Sequence, residues 1–212
     1  MMRCEIDHLV ITAPTLASGA EWVERSLGVA PGPGGAHPRM GTHNLLLRLG
    51  ESRFIEVIAP DPAAARPDRL RWFGLDDPEV LREPRLSAWV ARTDTLRDCP
   101  AEVLAVAGPI ETMTRGAREW LITIPADGTL PLGGAMPMLI EWQAPRAPAG
   151  AGLPAAGCAL AAFGLRHPQP ARLEGLLALA GLAERVATEA GAPGLWADIV
   201  TPTGPRRLDA TS

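Results

Sequence analysis

Lysine and tyrosine are absent from the 212 residues, asparagine occurs once, at position 44, and cysteine three times. All twenty basic residues are arginine, a bias that reads as base composition of the coding sequence rather than as chemistry. Cys4, Cys99 and Cys158 are odd in number, far apart and without a CxxC pair, which excludes a disulfide framework or a cysteine zinc site and fits reduced thiols. No apolar run approaches the roughly 18 residues of a membrane span. The segment after Arg3 lacks the apolar stretch of a signal peptide, so a cytoplasmic location is expected. No basic run exceeds Arg206-Arg207, and a net charge of −4 with pI near 5.6 argues against nucleic acid and anionic lipid as partners. Phosphate loops, G-x-S-x-G elbows, H-E-x-x-H helices and dinucleotide fingerprints are all missing, so no nucleotide cofactor is expected.

The chain is 47% hydrophobic and 21% charged, ordinary for a globular protein able to bury its own core. Its 22 prolines and 22 glycines punctuate regular segments, except in the linker-like stretch from Ala144 to Gly157.

Ile6 to Thr12 is short, β-branched and apolar, a strand ended by Pro14. Thr15 can cap a helix whose Leu16, Ala20, Val23 and Leu27 share one face, with Gly28 beyond its end. After a Pro/Gly turn from Pro31 to Gly35, strands are expected around Arg39 to Thr42, Asn44 to Leu49 and Arg53 to Ala59. The order β-α-β-β-β then repeats: strand Leu86 to Arg92, a helix between Asp94 and Val106, and strands near Ile110 to Arg115, Arg118 to Ile124 and Met138 to Gln143. Phe54-Ile55-Glu56-Val57 matches Leu139-Ile140-Glu141-Trp142, and Ile6-Asp7-His8 matches Leu86-Ser87-Ala88. Beyond the linker, strand Cys158 to Leu165, a helix from Pro170 to Gly181, and strands Arg185 to Ala190 and Leu195 to Val200 form a further, incomplete unit, expected to extend the sheet or cover an edge.

His8 and Glu56 each fall on an otherwise apolar strand face, where a charge without a partner is costly. A histidine with two glutamates at matching positions suits an oxygen-rich divalent-metal site if the copies curl together. His43 and Asn44, at a strand start, can reach a pocket mouth or cap a turn beside Gly41; His37 in the preceding loop can close over the site. Trp72-Phe73 reads chiefly as a hydrophobic anchor between the repeats, and His167 as a surface residue.

The segments IDHLVI, GTHNLLLRLG (Gly41 to Gly50), FIEVIAP (Phe54 to Pro60), RWFGLDDP (Arg71 to Pro78) and MLIEW (Met138 to Trp142) resemble the vicinal-oxygen-chelate superfamily, specifically its glyoxalase-like domain proteins. The resemblance implies an α+β fold: paired βαβββ modules (1–80 and 81–145) forming a curved mixed sheet around a pocket. A linker (146–157) and a partial βαββ unit (158–212) packing on the same domain would follow. It places His8, Glu56 and Glu141 on three of four metal-ligand positions, Ala88 on the fourth, and implies a small-molecule ligand, with Trp142 beside the site. Two functions follow. One is a lyase, isomerase or dioxygenase using Mn, Fe, Ni, Zn or Mg as Lewis acid, with Glu56 or Glu141 as proton-transfer base; the other is a metal-free protein that binds or sequesters a small molecule. Carboxylates locked onto arginines would favour the binder, and the oligomer is left open up to a homodimer.

Overall fold

A computed structural model describes residues 2–144, 147–182 and 186–210 of the chain. The first module begins with β1 (Glu5–Thr12), buried along almost its whole length. Helix α1 (Leu16–Leu27) starts at Thr15, whose Oγ1 accepts from the Ser18 N–H at 3.1 Å while the Thr15 N–H donates to Ser18 Oγ at 3.3 Å. This reciprocal cap satisfies two otherwise orphaned donors. Gly28 ends the helix in the left-handed region (φ 72), its N–H reaching the Glu24 carbonyl at 2.8 Å. Three strands complete the module: β2 (Gly32–His37), β3 (Thr42–Leu49) and β4 (Arg53–Pro60). The second repeats the order with β5 (Arg85–Arg92), α2 (Ala101–Ala107), β6 (Ile110–Arg115), β7 (Arg118–Thr123) and β8 (Met138–Ala144).

These eight strands form one curled sheet in the order β2-β3-β4-β1-β5-β8-β7-β6. In each module the first strand runs parallel to the last, and β1 joins β5 antiparallel at the centre. The curl brings the two edges near one another: Arg39, in the turn after β2, donates from Nη1 to the Thr112 carbonyl at 2.9 Å, and both Arg39 and Arg69 pair with Glu111 on β6. Val10, Ile58, Trp72, Phe73, Val90, Trp120 and Ile140 pack on the inner face. The outer face carries Leu9, Ile55, Val57, Trp89 and Leu139, with Val23 and Leu27 of α1 and Val103 of α2 packed in the same core.

The chain after residue 157 builds β9 (Ala159–His167), α3 (Pro170–Leu179), β10 (Ala187–Ala190), β11 (Gly194–Thr201) and β12 (Gly204–Asp209). They form a separate four-stranded sheet, β10-β9-β11-β12, rather than extending the first. Its Phe163, Leu165, Leu195 and Ile199 share the outer core, with the Phe163 ring 5.1 Å from Trp89. The element order again is βαβββ, but β9 pairs parallel with the next strand, β10, rather than with the last. The twelfth strand is invisible to an apolar pattern because Pro205, Arg206 and Arg207 are exposed and only Leu208 is buried. The expected start of the tenth strand, Arg185, lies outside the described residues, as do residues 145–146 at the linker's beginning.

Three further expectations are corrected. The strand placed at Arg39 to Thr42 lies earlier: Pro38–Met40 is a 3₁₀ turn, and the Pro/Gly segment itself is β2. An edge strand tolerates proline because one side of it has no ladder to donate to, and a register shift between Pro33 and Ala36 absorbs the irregularity. The expected second helix is split into a 3₁₀ turn, Leu96–Asp98, and the shorter α2, divided by Pro100. The linker is not free: Ala149–Gly152 is a 3₁₀ turn with Ala149 and Gly150 buried, and a side chain on Gly150 would strike the Ser52 carbonyl. No helix among the described residues is long and apolar enough to cross a membrane.

Candidate functional site

The concave face encloses a narrow cavity of about 40 Å³, about 430 Å³ with its open mouth counted. Its polar floor comes from β1 and β4. A register shift between Ile6 and His8 leaves Asp7 unpaired against β5, so the bulge turns both Asp7 and His8 toward one network. Asp7 Oδ1 lies 2.7 Å from His8 Nδ1, and Asp7 Oδ2 accepts from Trp142 Nε1 at 3.0 Å and lies 3.6 Å from Arg92 Nη1. On the other side His8 Nε2 faces Glu56 Oε2 at 3.3 Å, while Glu56 Oε1 accepts from Asn44 Nδ2 at 2.5 Å. Asn44 is fixed in turn by the Gly35 N–H donating to its Oδ1 at 2.8 Å. The His8 ring stacks on Phe54 at 4.5 Å.

These contacts set the charge states. Burial alone would strip the proton from His8, but hydrogen bonds to Asp7 and Glu56, and their negative charge, lift it from 6.5 to about 9. Burial likewise opposes ionisation of Glu56, yet the His8 hydrogen bond and charge, with help from His37 and Asn44, draw it down to about 2. The pair is therefore imidazolium and carboxylate at neutral pH. His37 takes the opposite state: its burial outweighs the attraction of Glu56 and pushes it from 6.5 down to about 4. Neutral His37 accepts from Arg115 Nη1 at Nε2 (3.0 Å), which leaves Nδ1 to donate to Thr42 Oγ1 at 3.3 Å.

Aromatic rings make the walls. Trp72 lies edge-on to His37 at 5.1 Å, and Trp120 and Trp142 meet at 5.7 Å. Phe73 holds a left-handed backbone (φ 58, ψ 23), a conformation costing a bulky residue about 1–3 kcal/mol, and its ring lines the cavity.

Of the residues singled out in the sequence, His8, His37, Asn44, Glu56 and Trp142 line this cavity together. Glu141 is elsewhere. On β8 the inner face is Met138, Ile140 and Trp142, so strand alternation points Glu141 outward, where Oε2 accepts from the Leu96 N–H (2.8 Å) and Oε1 from Gln143 Nε2 (2.6 Å). His43, one residue before Asn44, likewise faces away and sits 3.9 Å from Asp61. Trp72 and Phe73 anchor the connector and line the cavity as well. His167 is buried rather than on the surface, its Nδ1 accepting from the Gln169 N–H at 3.1 Å. Sequence reasoning missed Asp7, Arg115 and Trp120. Asp7 had a signal, an acid beside a histidine inside an apolar strand; Arg115 had none, being brought across from the far edge by the curl of the sheet.

The donor set does not fit the expected divalent ion. Among the described residues no three His, Cys, Asp or Glu side chains converge on one point. His8 and Glu56 engage each other, Ala88 offers only a methyl, and β8 presents Ile140 and Trp142 in place of a carboxylate.

A sequence model of the family described as "Glyoxalase-like domain" matches residues 6–181. No curated protein matches the sequence. Among solved structures, a hypothetical protein from Staphylococcus aureus aligns over 97% of this chain and 85% of its own, with 11% identity and a TM-score of 0.57. The Mn(II)-bound glyoxalase from Novosphingobium aromaticivorans aligns over 99% and 83%, with 10% identity and a TM-score of 0.51. Methylmalonyl-CoA epimerase from Mycobacterium tuberculosis aligns over 64% and 84%, with 18% identity and a TM-score of 0.41.

Proposed function

The chain belongs to the glyoxalase-like family of the vicinal-oxygen-chelate superfamily, and on that footing we propose that it binds a small, flat, largely apolar molecule in its inner cavity without recruiting a metal ion. The observation that carries this is the mutual saturation of the two buried site charges: His8 and Glu56 satisfy one another, while aromatic rings and aliphatic side chains supply most of the remaining lining. An ion would have to replace the His8–Glu56 contact, and the matching positions of the second module, Ala88 and the inward Ile140 and Trp142, offer it no ligand. A flat ligand needs only the ring faces. Burial of aromatic surface supplies affinity at low entropic cost. The metal-dependent lyase, isomerase or dioxygenase suggested by the sequence depended on Glu141, which is engaged outside the cavity.

The test combines ligand and metal. Benzamide titrated into chelator-treated protein is expected to quench tryptophan fluorescence saturably, with the same Kd in added EDTA or Mn(II), and Trp120→Ala is expected to weaken it at least tenfold. Stoichiometric metal retained through dialysis by wild type and lost in Glu56→Gln would overturn the reading and restore the metal-dependent one.

A further inference from the structure

Resting on that reading, we propose that the ligand is a carboxylate, and that Arg115 is the residue that selects its charge. Glu56 is answered by His8 at 3.3 Å, and Asp7 by His8 and Arg92. Glu111 at the seam is answered by Arg39 and Arg69. Arg115 is left over. Among the described residues it has no carboxylate within ion-pair distance, and its one hydrogen bond goes to the Nε2 lone pair of His37. Of the charges that reach it, Glu56 attracts it without pairing, and Arg118 on the second module is another cation.

A guanidinium carries five N–H donors in a planar fork, and one bond to a neutral imidazole leaves most of them unmatched. Arg115 is half-buried and lines the cavity, so those donors do not have the full solvation a surface arginine enjoys. Arg115 reaches across the seam from β6 and lies over Gly35 of β2, where a side-chain carbon would come within 3.3 Å of Nη1 and 3.4 Å of Cδ. Gly35 thus gives the guanidinium its path, while its N–H holds Asn44 and, through Asn44, Glu56.

The two ends of the cavity then differ in what they ask of a ligand. At the floor, the charge pair is complete and would repel a second anion through Glu56. The fork of Arg115 matches a carboxylate bidentately, and the imidazole it donates to, His37, stands edge-on to Trp72 and Trp120, which line the same cavity and can take a flat body. An aromatic carboxylate lying in the open mouth, its ring against the aromatic walls and its carboxylate on Arg115, would satisfy both demands, the enclosed part of about 40 Å³ being too small for a ring.

Benzoate and its neutral isostere benzamide separate the claims, each titrated by calorimetry into wild type, Arg115→Gln and Arg115→Lys, with melting temperatures recorded for all three. Wild type is expected to bind benzoate at least tenfold more tightly than benzamide. Arg115→Gln should bring the two affinities together by weakening benzoate alone, and Arg115→Lys should keep part of the preference, since charge remains but the fork is lost. Equal binding of both probes by wild type would overturn the carboxylate proposal and leave the aromatic pocket standing; no binding of either would remove both. An Arg115 that serves only to latch the seam through His37 would weaken benzoate and benzamide alike in Arg115→Gln, which also overturns the proposal.

Discussion

His8 and His37 face one cavity in opposite protonation states, and this gives the fold a pH signature. The folded His8 holds its proton up to about 9 against an ordinary 6.5, so its contribution is complete below 6.5 and is lost as pH rises through 9. His37, depressed to about 4, favours its neutral form in the native state, so its contribution is complete above 6.5 and fades as pH falls to 4. Glu56, depressed from 4.5 to about 2, adds stability above 4.5 that is lost toward 2. Stability is therefore expected to peak near pH 6.5. Urea midpoints measured from pH 4 to 9 should fall on both sides in wild type, with the alkaline fall flattened in His8→Gln and the acid fall flattened in His37→Gln. An unchanged alkaline arm in His8→Gln would mean that the imidazole is not held charged in the native state. A separate consequence follows for Asn44, whose removal leaves a buried carboxylate oxygen without its donor: Asn44→Ala is expected to cost about 1–3 kcal/mol, read from the same midpoints at pH 6.5.

At the scale of elements, the site depends on how closely α1 seats behind β4. Gly19 makes that approach: a methyl there would overlap Val57 Cγ1 and lie 2.9 Å from the Ala13 Cβ. Helix propensity alone predicts that Gly19→Ala stabilises by about 1 kcal/mol. Overpacking against a β-branched residue in a filled core costs about 1–3 kcal/mol and should win. The net change expected is a loss of stability, seen as a lower urea midpoint; a gain would show that α1 can slide outward without cost. Val57 is next to Glu56, so the same variant should also weaken benzamide binding, which a purely helical effect would not do. The β2 edge is held by the same economy: a side chain at Gly34 would run into Asn44, so the glycine-rich run that looked like a turn is instead the strand that admits the Asn44 amide.

For the molecule as a whole, the second sheet and the outer face of the first share one core, with Trp89 fully buried against Phe163. A shared core makes the two sheets unfold as one unit. Thermal unfolding should show a single transition by near- and far-ultraviolet dichroism, and Phe163→Ala should lower it as a whole, at a cost of about 3–5 kcal/mol. Two separated transitions in that variant would show that the sheets are independent. The inner face is organised differently: His8 and Glu56 lie on the central strands β1 and β4, while His37 and Arg115 come from the two edge strands β2 and β6, so the cavity is completed only when the sheet has curled.

The sequence by itself determined what is local. The capped helix at Thr15, the strands around His8 and Glu56, the repeat of β-α-β-β-β and the family all follow from residue type, period and motif. Tertiary structure decided the phase of each strand and the meeting of its edges. Ile55-Glu56 and Ile140-Glu141 read alike, but β4 turns Phe54, Glu56 and Ile58 inward while β8 turns Met138, Ile140 and Trp142 inward. A side-chain period of two means that an offset of one residue exchanges the faces, and no property of the two glutamates announces which offset the hydrogen-bond ladder will take. The bulge at Asp7 and the reach of Arg115 across the seam have the same origin, because pairing register and sheet curl are fixed by contacts between residues far apart in the chain.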